Sequence, residues 1–139
     1  MTGHRLRWLL LSATIVAASA CGETIPTSPT EEVGDVEASF SSQLVPGGSA
    51  TRAFDLTTGG TVSITLSSTT PAGIVVGLGI GIPQANGAGC TLTMSVETAA
   101  GSTPQLSVTA DKGTYCAKVY DVGQLTTSAV PFTLVFSLP

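Results

Sequence analysis

The chain has 139 residues, with 42% hydrophobic and only 10% charged side chains. That length provides for one domain, and the abundance of Thr, Ser, Gly and Ala favours neutral β-structure over a charged helical surface. Nine acidic residues face five basic ones, and only Arg52, Lys112 and Lys118 of the bases remain once a leader is removed; three scattered cations on a net acidic chain exclude nucleic acid and anionic membrane surfaces as electrostatic partners.

His4, Arg5 and Arg7 precede the apolar run from Trp8 to Ala17, and small residues Ala18, Ser19 and Ala20 follow. A basic start, a short apolar middle and a small-residue exit make residues 1–20 a secretory signal, too short for a permanent transmembrane helix. Small residues directly before Cys21 resemble the bacterial lipobox, which implies that Cys21 is diacylated and becomes the mature N-terminus. Ala18 stands where leucine is usual, and the alternative is an ordinary signal peptide cut at an Ala-x-Ala site. Two acyl chains would anchor the protein stably to a membrane. Gly22 after the cysteine, where aspartate commonly marks inner-membrane retention, implies the outer membrane if the cell has one. Gly22 to Gly34 carries two prolines and no apolar periodicity; residues 21–34 therefore read as a lipidated N-terminus and linker, with a reach of roughly 20 Å.

From residue 35 onward apolar residues recur at every second position, the period of a strand with one face buried. Val36, Ala38 and Phe40 give a first strand, closed by Pro46-Gly47-Gly48. Ala50, Arg52, Phe54 and Leu56 share one face of the next, and Val62, Ile64 and Leu66 one face of the third, with Thr58-Gly59-Gly60 between them predicting a hairpin. Ile74, Val76, Leu78, Ile80 and Ile82 line one side of the most apolar run and Gly77, Gly79 and Gly81 the other. Leu92, Met94 and Val96 alternate next, then Leu106, Val108 and Ala110. Gly113 to Tyr120 points Tyr115, Ala117 and Val119 one way and Cys116, Lys118 and Tyr120 the other, and Phe132, Leu134, Phe136 and Leu138 end the chain. Seven or eight short strands with turns between them predict an all-β fold, an antiparallel β-sandwich of jelly-roll kind over residues 35–139.

Cys90 and Cys116 remain after Cys21, in a compartment that permits disulfides. They are expected to bond; a free pair or a metal site is the alternative, but two cysteines without histidine make a poor zinc site. Parity puts Cys116 opposite Tyr115, so the bond should clip the Cys90 loop over an outer face.

Reactive groups are few. The single histidine, His4, leaves with the leader, which removes Ser-His-Asp and Cys-His devices. Asp111 and Asp121 flank one strand roughly 30 Å apart, too far to act on one bond, and read as turn residues. Glu31, Glu32, Asp35 and Glu37 read as solvated linker and not as a calcium site. Gly77-Leu78-Gly79-Ile80-Gly81 resembles a phosphate loop only superficially, since Pro83 forbids the helix that must follow. No catalytic, cofactor or metal residue is therefore expected, and the chain is not expected to be an enzyme. Tyr120 is the one candidate exposed ring for a contact such as a sugar.

The segment Gly113-Thr114-Tyr115-Cys116-Ala117-Lys118-Val119-Tyr120-Asp121-Val122-Gly123, followed by the strand Phe132 to Phe136 and preceded by a cysteine, resembles the bacterial pre-peptidase C-terminal domain. It is most similar to a group of secreted sequences with that same Gly-Thr-Tyr-Cys pattern, and the likeness runs from Ala50 to Leu138. The resemblance implies a jelly-roll-like sandwich, usually non-catalytic and appended to exported enzymes. Members often carry an aspartate-rich stretch before the middle strand; Ala72 to Gly77 has no carboxylate, so the family's calcium site is not implied. Nor is a catalytic domain expected within these residues. The function these readings imply is a lipid-anchored, non-catalytic interaction or structural module of the cell envelope, with a carbohydrate-binding or protease-accessory module as the alternative.

Overall fold

The period-2 pattern becomes eight strands in the computed structural model, which describes residues 36–139; the leader, Cys21 and the linker lie outside the described residues. The strands are β1 (Val36–Leu44), β2 (Ser49–Leu56), β3 (Gly60–Thr69), β4 (Val76–Pro83), β5 (Cys90–Thr98), β6 (Leu106–Ala110), β7 (Gly113–Tyr120) and β8 (Val130–Leu138). They form two four-stranded sheets, ordered β1-β8-β3-β6 and β2-β7-β4-β5, and every pairing is antiparallel. Every connection except β4 to β5 crosses between the sheets, which is the double Greek key of a jelly roll.

Most strands keep their water-avoiding side inward. Val62, Ile64 and Leu66 of β3 and Leu134 of β8 are 0% exposed, and they meet Leu78, Ile80, Ala117 and Val119 from the other sheet. Phe40 meets the edge of Phe132 at 5.9 Å and Phe54 lies 5.4 Å from Phe136. The Arg52 guanidinium, 5.8 Å from the Phe40 ring centre, covers that ring where β1 and β2 run at the sandwich's side.

Three sequence-based expectations need correction. The hairpin of β2 with β3 does not form: β2 pairs with β7, while β3 lies between β8 and β6. Alternation tells a strand which side is wet, not which strand is its neighbour. Leu92 does not share a face with Met94 and Val96, because Thr93 is an extra residue between the pairs Ile80↔Met94 and Gly81↔Leu92. That bulge turns Leu92 onto the outer face, and Thr93 Oγ1 ties it down by donating to the Ile80 carbonyl at 3.2 Å. Ile82 is 48% exposed and Met94 45%, because the pairing of β4 with β7 stops at Gly81 and β5 is an edge strand.

Candidate functional site

The two cysteines are bonded, with Cα atoms 5.8 Å apart. Cys116 sits on β7 between Ala53 of β2 and Gly81 of β4, on the side opposite Ala117 and Val119. Neither cysteine belongs to the central apolar cluster, although Cys116 is 0% exposed. The bond therefore clips the 84–89 loop over the outer face, the side that the parity of Cys116 pointed to. Loop residues Gly87, Ala88 and Gly89 and the strand residues Thr51 and Ala53 border a small hollow beside Cys116.

Tyr120 is not the free platform expected of it. Its ring lies against Gly77, so closely that any side chain there would collide with it, and it is half-buried. Lys118 Nζ stands 5.8 Å from the ring centre. The glycine side of β4 is thus a trough filled by its own chain: Tyr120 over Gly77 and Leu92 over Gly79.

Asp111 and Asp121 stay at opposite ends of β7. Asp121 Oδ1 accepts bonds from the backbone N–H groups of Gly123 (2.9 Å), Gln124 (3.0 Å) and Leu125 (3.2 Å), and Oδ2 from that of Gly47 (2.8 Å). The Gly47 bond foremost, with the other three, holds the Asp121 carboxyl below the usual carboxylate range against the opposing effect of burial. This carboxylate ties two turns together, which is a structural task. Asp55 is likewise engaged, accepting the Thr114 hydroxyl at 2.6 Å. Among the described residues no group of three His, Cys, Asp or Glu side chains is placed to hold a metal ion.

The surface able to receive a ligand lies on the other sheet, and of its residues the sequence singled out only Glu37, read as linker but standing on β1. Register brings Glu37, Ser137, Ser63 and Ser107 into one row across β1, β8, β3 and β6, and the neighbouring row holds Ser39, Val135 and Thr65. Over this face runs an open groove of about 860 Å³, floored by β3 and β8 and walled by Gly101, Ser102 and Pro104, with Ala72 also at its border. The wall is pinned: the Leu66 N–H donates to Gln105 Oε1 (2.7 Å) and Gln105 Nε2 donates to the Leu66 carbonyl (3.3 Å). Gly101 and Gln105 add backbone bonds to the Leu66 and Ile64 carbonyls at 2.9 and 3.2 Å. Outward hydroxyls at every second residue were the only sequence signal, and they acquire a shape only when the strands are placed side by side.

Fold and surface together define an antiparallel jelly-roll sandwich, clipped by one disulfide, with a hydroxyl-lined groove on one sheet. No protein-family model matches the chain, and no curated protein does. Among solved structures it is similar to the Yersinia pseudotuberculosis-derived mitogen YPM, with 12% sequence identity and a TM-score of 0.50, over 76% of this chain and 87% of that one. At that identity the likeness is one of fold, a β-sandwich.

Proposed function

We propose that the protein is a lipid-anchored module of the cell envelope, exported by its signal and non-catalytic, with an interaction or structural role. The observation that carries this reading is the Cys90–Cys116 disulfide, since such bonds persist outside the reducing cytoplasm. It agrees with the leader of residues 1–20 and with Cys21 following Ala18-Ser19-Ala20. The likeness of the Gly113–Gly123 segment to pre-peptidase C-terminal domains supports a non-catalytic role. So does the engagement of Asp55 and Asp121 in holding backbone and side-chain partners.

Acyl labelling tests the anchor. In a bacterium with lipoprotein-processing enzymes, the wild-type chain should incorporate labelled palmitate and enter the detergent phase, and Cys21→Ser should do neither. Equal behaviour of the two would remove the lipid anchor from the reading.

A second reading, a carbohydrate-binding or protease-accessory module, draws its support from the groove on the β1-β8-β3-β6 sheet. It is compatible with the anchor, which would then present the groove outside the cell membrane.

A further inference from the structure

The groove's chemistry narrows what it can hold. Its polar lining is hydroxyl apart from Glu37 and backbone, and among the described residues no lysine or arginine borders it. An anion would meet one carboxylate and no cation, and a cation would meet a single open carboxylate, so a charged ligand gains little. Hydroxyls donate and accept alike, and they match a ligand that does the same.

Some of these hydroxyls are already committed. Ser63 and Ser107 share a bond of 3.1 Å, and Ser67 donates to the Thr133 carbonyl at 3.1 Å. The side-chain hydroxyls of Thr65, Ser68 and Ser102 border the groove without a bond to any described residue. Thr65 pairs with Val135 and Ser68 with Thr133, a bulge after Leu66 taking up one residue, so the two stand about 7 Å apart along the sheet, a spacing that adjacent sugar units can bridge. Val135, Ala72 and Pro104 supply apolar surface between and beside them, suited to the C–H faces of sugar rings.

A peptide fits less well. β8 is paired with β1 and β3, and β3 with β8 from Ser63 onward and with β6 as far as Ile64, beyond which Gly101 and Gln105 occupy the Leu66 backbone, so the floor offers mostly side chains and little main-chain edge for strand addition. A site whose floor is fixed by two interior strands and whose wall is clamped by Gln105 is also formed before the ligand arrives, which lowers the ordering cost of binding.

We infer that this groove is a ligand site for a neutral oligosaccharide, bonded by the hydroxyls of Thr65, Ser68 and Ser102. The inference rests on the carbohydrate-binding reading and gives it a surface and a ligand class. No aromatic ring lines the groove, so affinity comes from hydrogen bonds and small apolar contacts and is modest.

The test uses the full chain in detergent micelles against immobilised neutral oligosaccharides of three to six units, with sulfated and uronate-containing counterparts of the same lengths. Neutral sugars should bind and the anionic ones should bind more weakly. The double variant Thr65→Val, Ser68→Ala, which keeps shape and strand preference, should lower affinity by at least about tenfold with an unchanged melting midpoint. Ser102→Trp, a loop substitution that fills the groove, should abolish binding independently. Neutral-sugar binding that survives both variants overturns the groove as the site and leaves the carbohydrate reading standing. Preference for sulfated sugars overturns the ligand class. Absence of binding to every oligosaccharide removes both.

Discussion

Asp121 shows how one side chain can hold a fold together without doing chemistry. Four backbone N–H groups converge on its carboxylate, joining the turn after β1 to the segment after β7. These bonds favour the charged form, so the folded pKa lies below its ordinary 3.8. For a carboxyl with a lowered folded pKa, the stabilisation is fully present above the unfolded value and is lost as pH falls through the folded one. Asp121→Asn retains one acceptor but turns an amide NH₂ toward an N–H donor. It should melt earlier than wild type at pH 7, with the gap narrowing below about pH 4 as the wild-type carboxyl titrates; paired thermal melts from pH 2 to 7 check this, and a gap independent of pH would contradict it. The sequence marked Asp121 as a turn residue, and it is one. Its bond to Gly47, 74 residues distant in the chain, had no local signal.

At the scale of single elements, β4 and β5 show what alternation captures and where it fails. The apolar side of β4 is buried from Val76 to Ile80 as its pattern requires. Its glycine side was legible as a place of close approach, but the occupants, Tyr120 and Leu92, were not. Tyr120 reaches Gly77 because the two are register partners in the β4–β7 pair, and Leu92 reaches Gly79 because one bulged residue reverses its side. A valine at Gly77 would displace the Tyr120 ring from a filled trough. Gly77→Val should therefore destabilise by about 1–3 kcal/mol, the usual range for overpacking, and should raise the fluorescence quenching of Tyr120 by acrylamide. A variant with unchanged stability and an unchanged ring environment would show that the trough has slack. The hydroxyl face of β3 and β8 is the complementary case: Ser63, Thr65 and Ser67 alternate outward, but Ser68 has the parity of Leu66 and comes out only past the register shift after Leu66, and a groove needs Gln105 to reach back to Leu66, a contact that no periodicity encodes.

For the molecule as a whole, the disulfide couples the two halves of one sheet across 26 residues. Closing a loop of that length is worth roughly 3.5 kcal/mol on the chain-entropy account, a large share of the marginal stability of a domain this size. The double variant Cys90→Ala, Cys116→Ala should lose about that much in urea unfolding, with the slope altered because the unfolded chain is less constrained. A loss below about 1 kcal/mol would show that the clip is incidental. Because Cys116 is buried on an outer face beneath its loop, the same variant should loosen the 84–89 segment to proteases while the core of β3 and β8 stays protected.

The sequence by itself determined the class of fold and the inward and outward side of nearly every strand, because strand alternation is local, and it made Cys90 and Cys116 the expected pair, which the structure bonds. Only the tertiary structure decided that β2 joins β7 instead of β3, that Tyr120 lies over Gly77, and that Glu37 and three serines from four strands share one row. Those outcomes depend on which distant segments become neighbours. Hydrogen-bonded pairing between strands is a non-local choice, settled by how two sheets bury their apolar sides together, and neither alternation nor turn residues specify it.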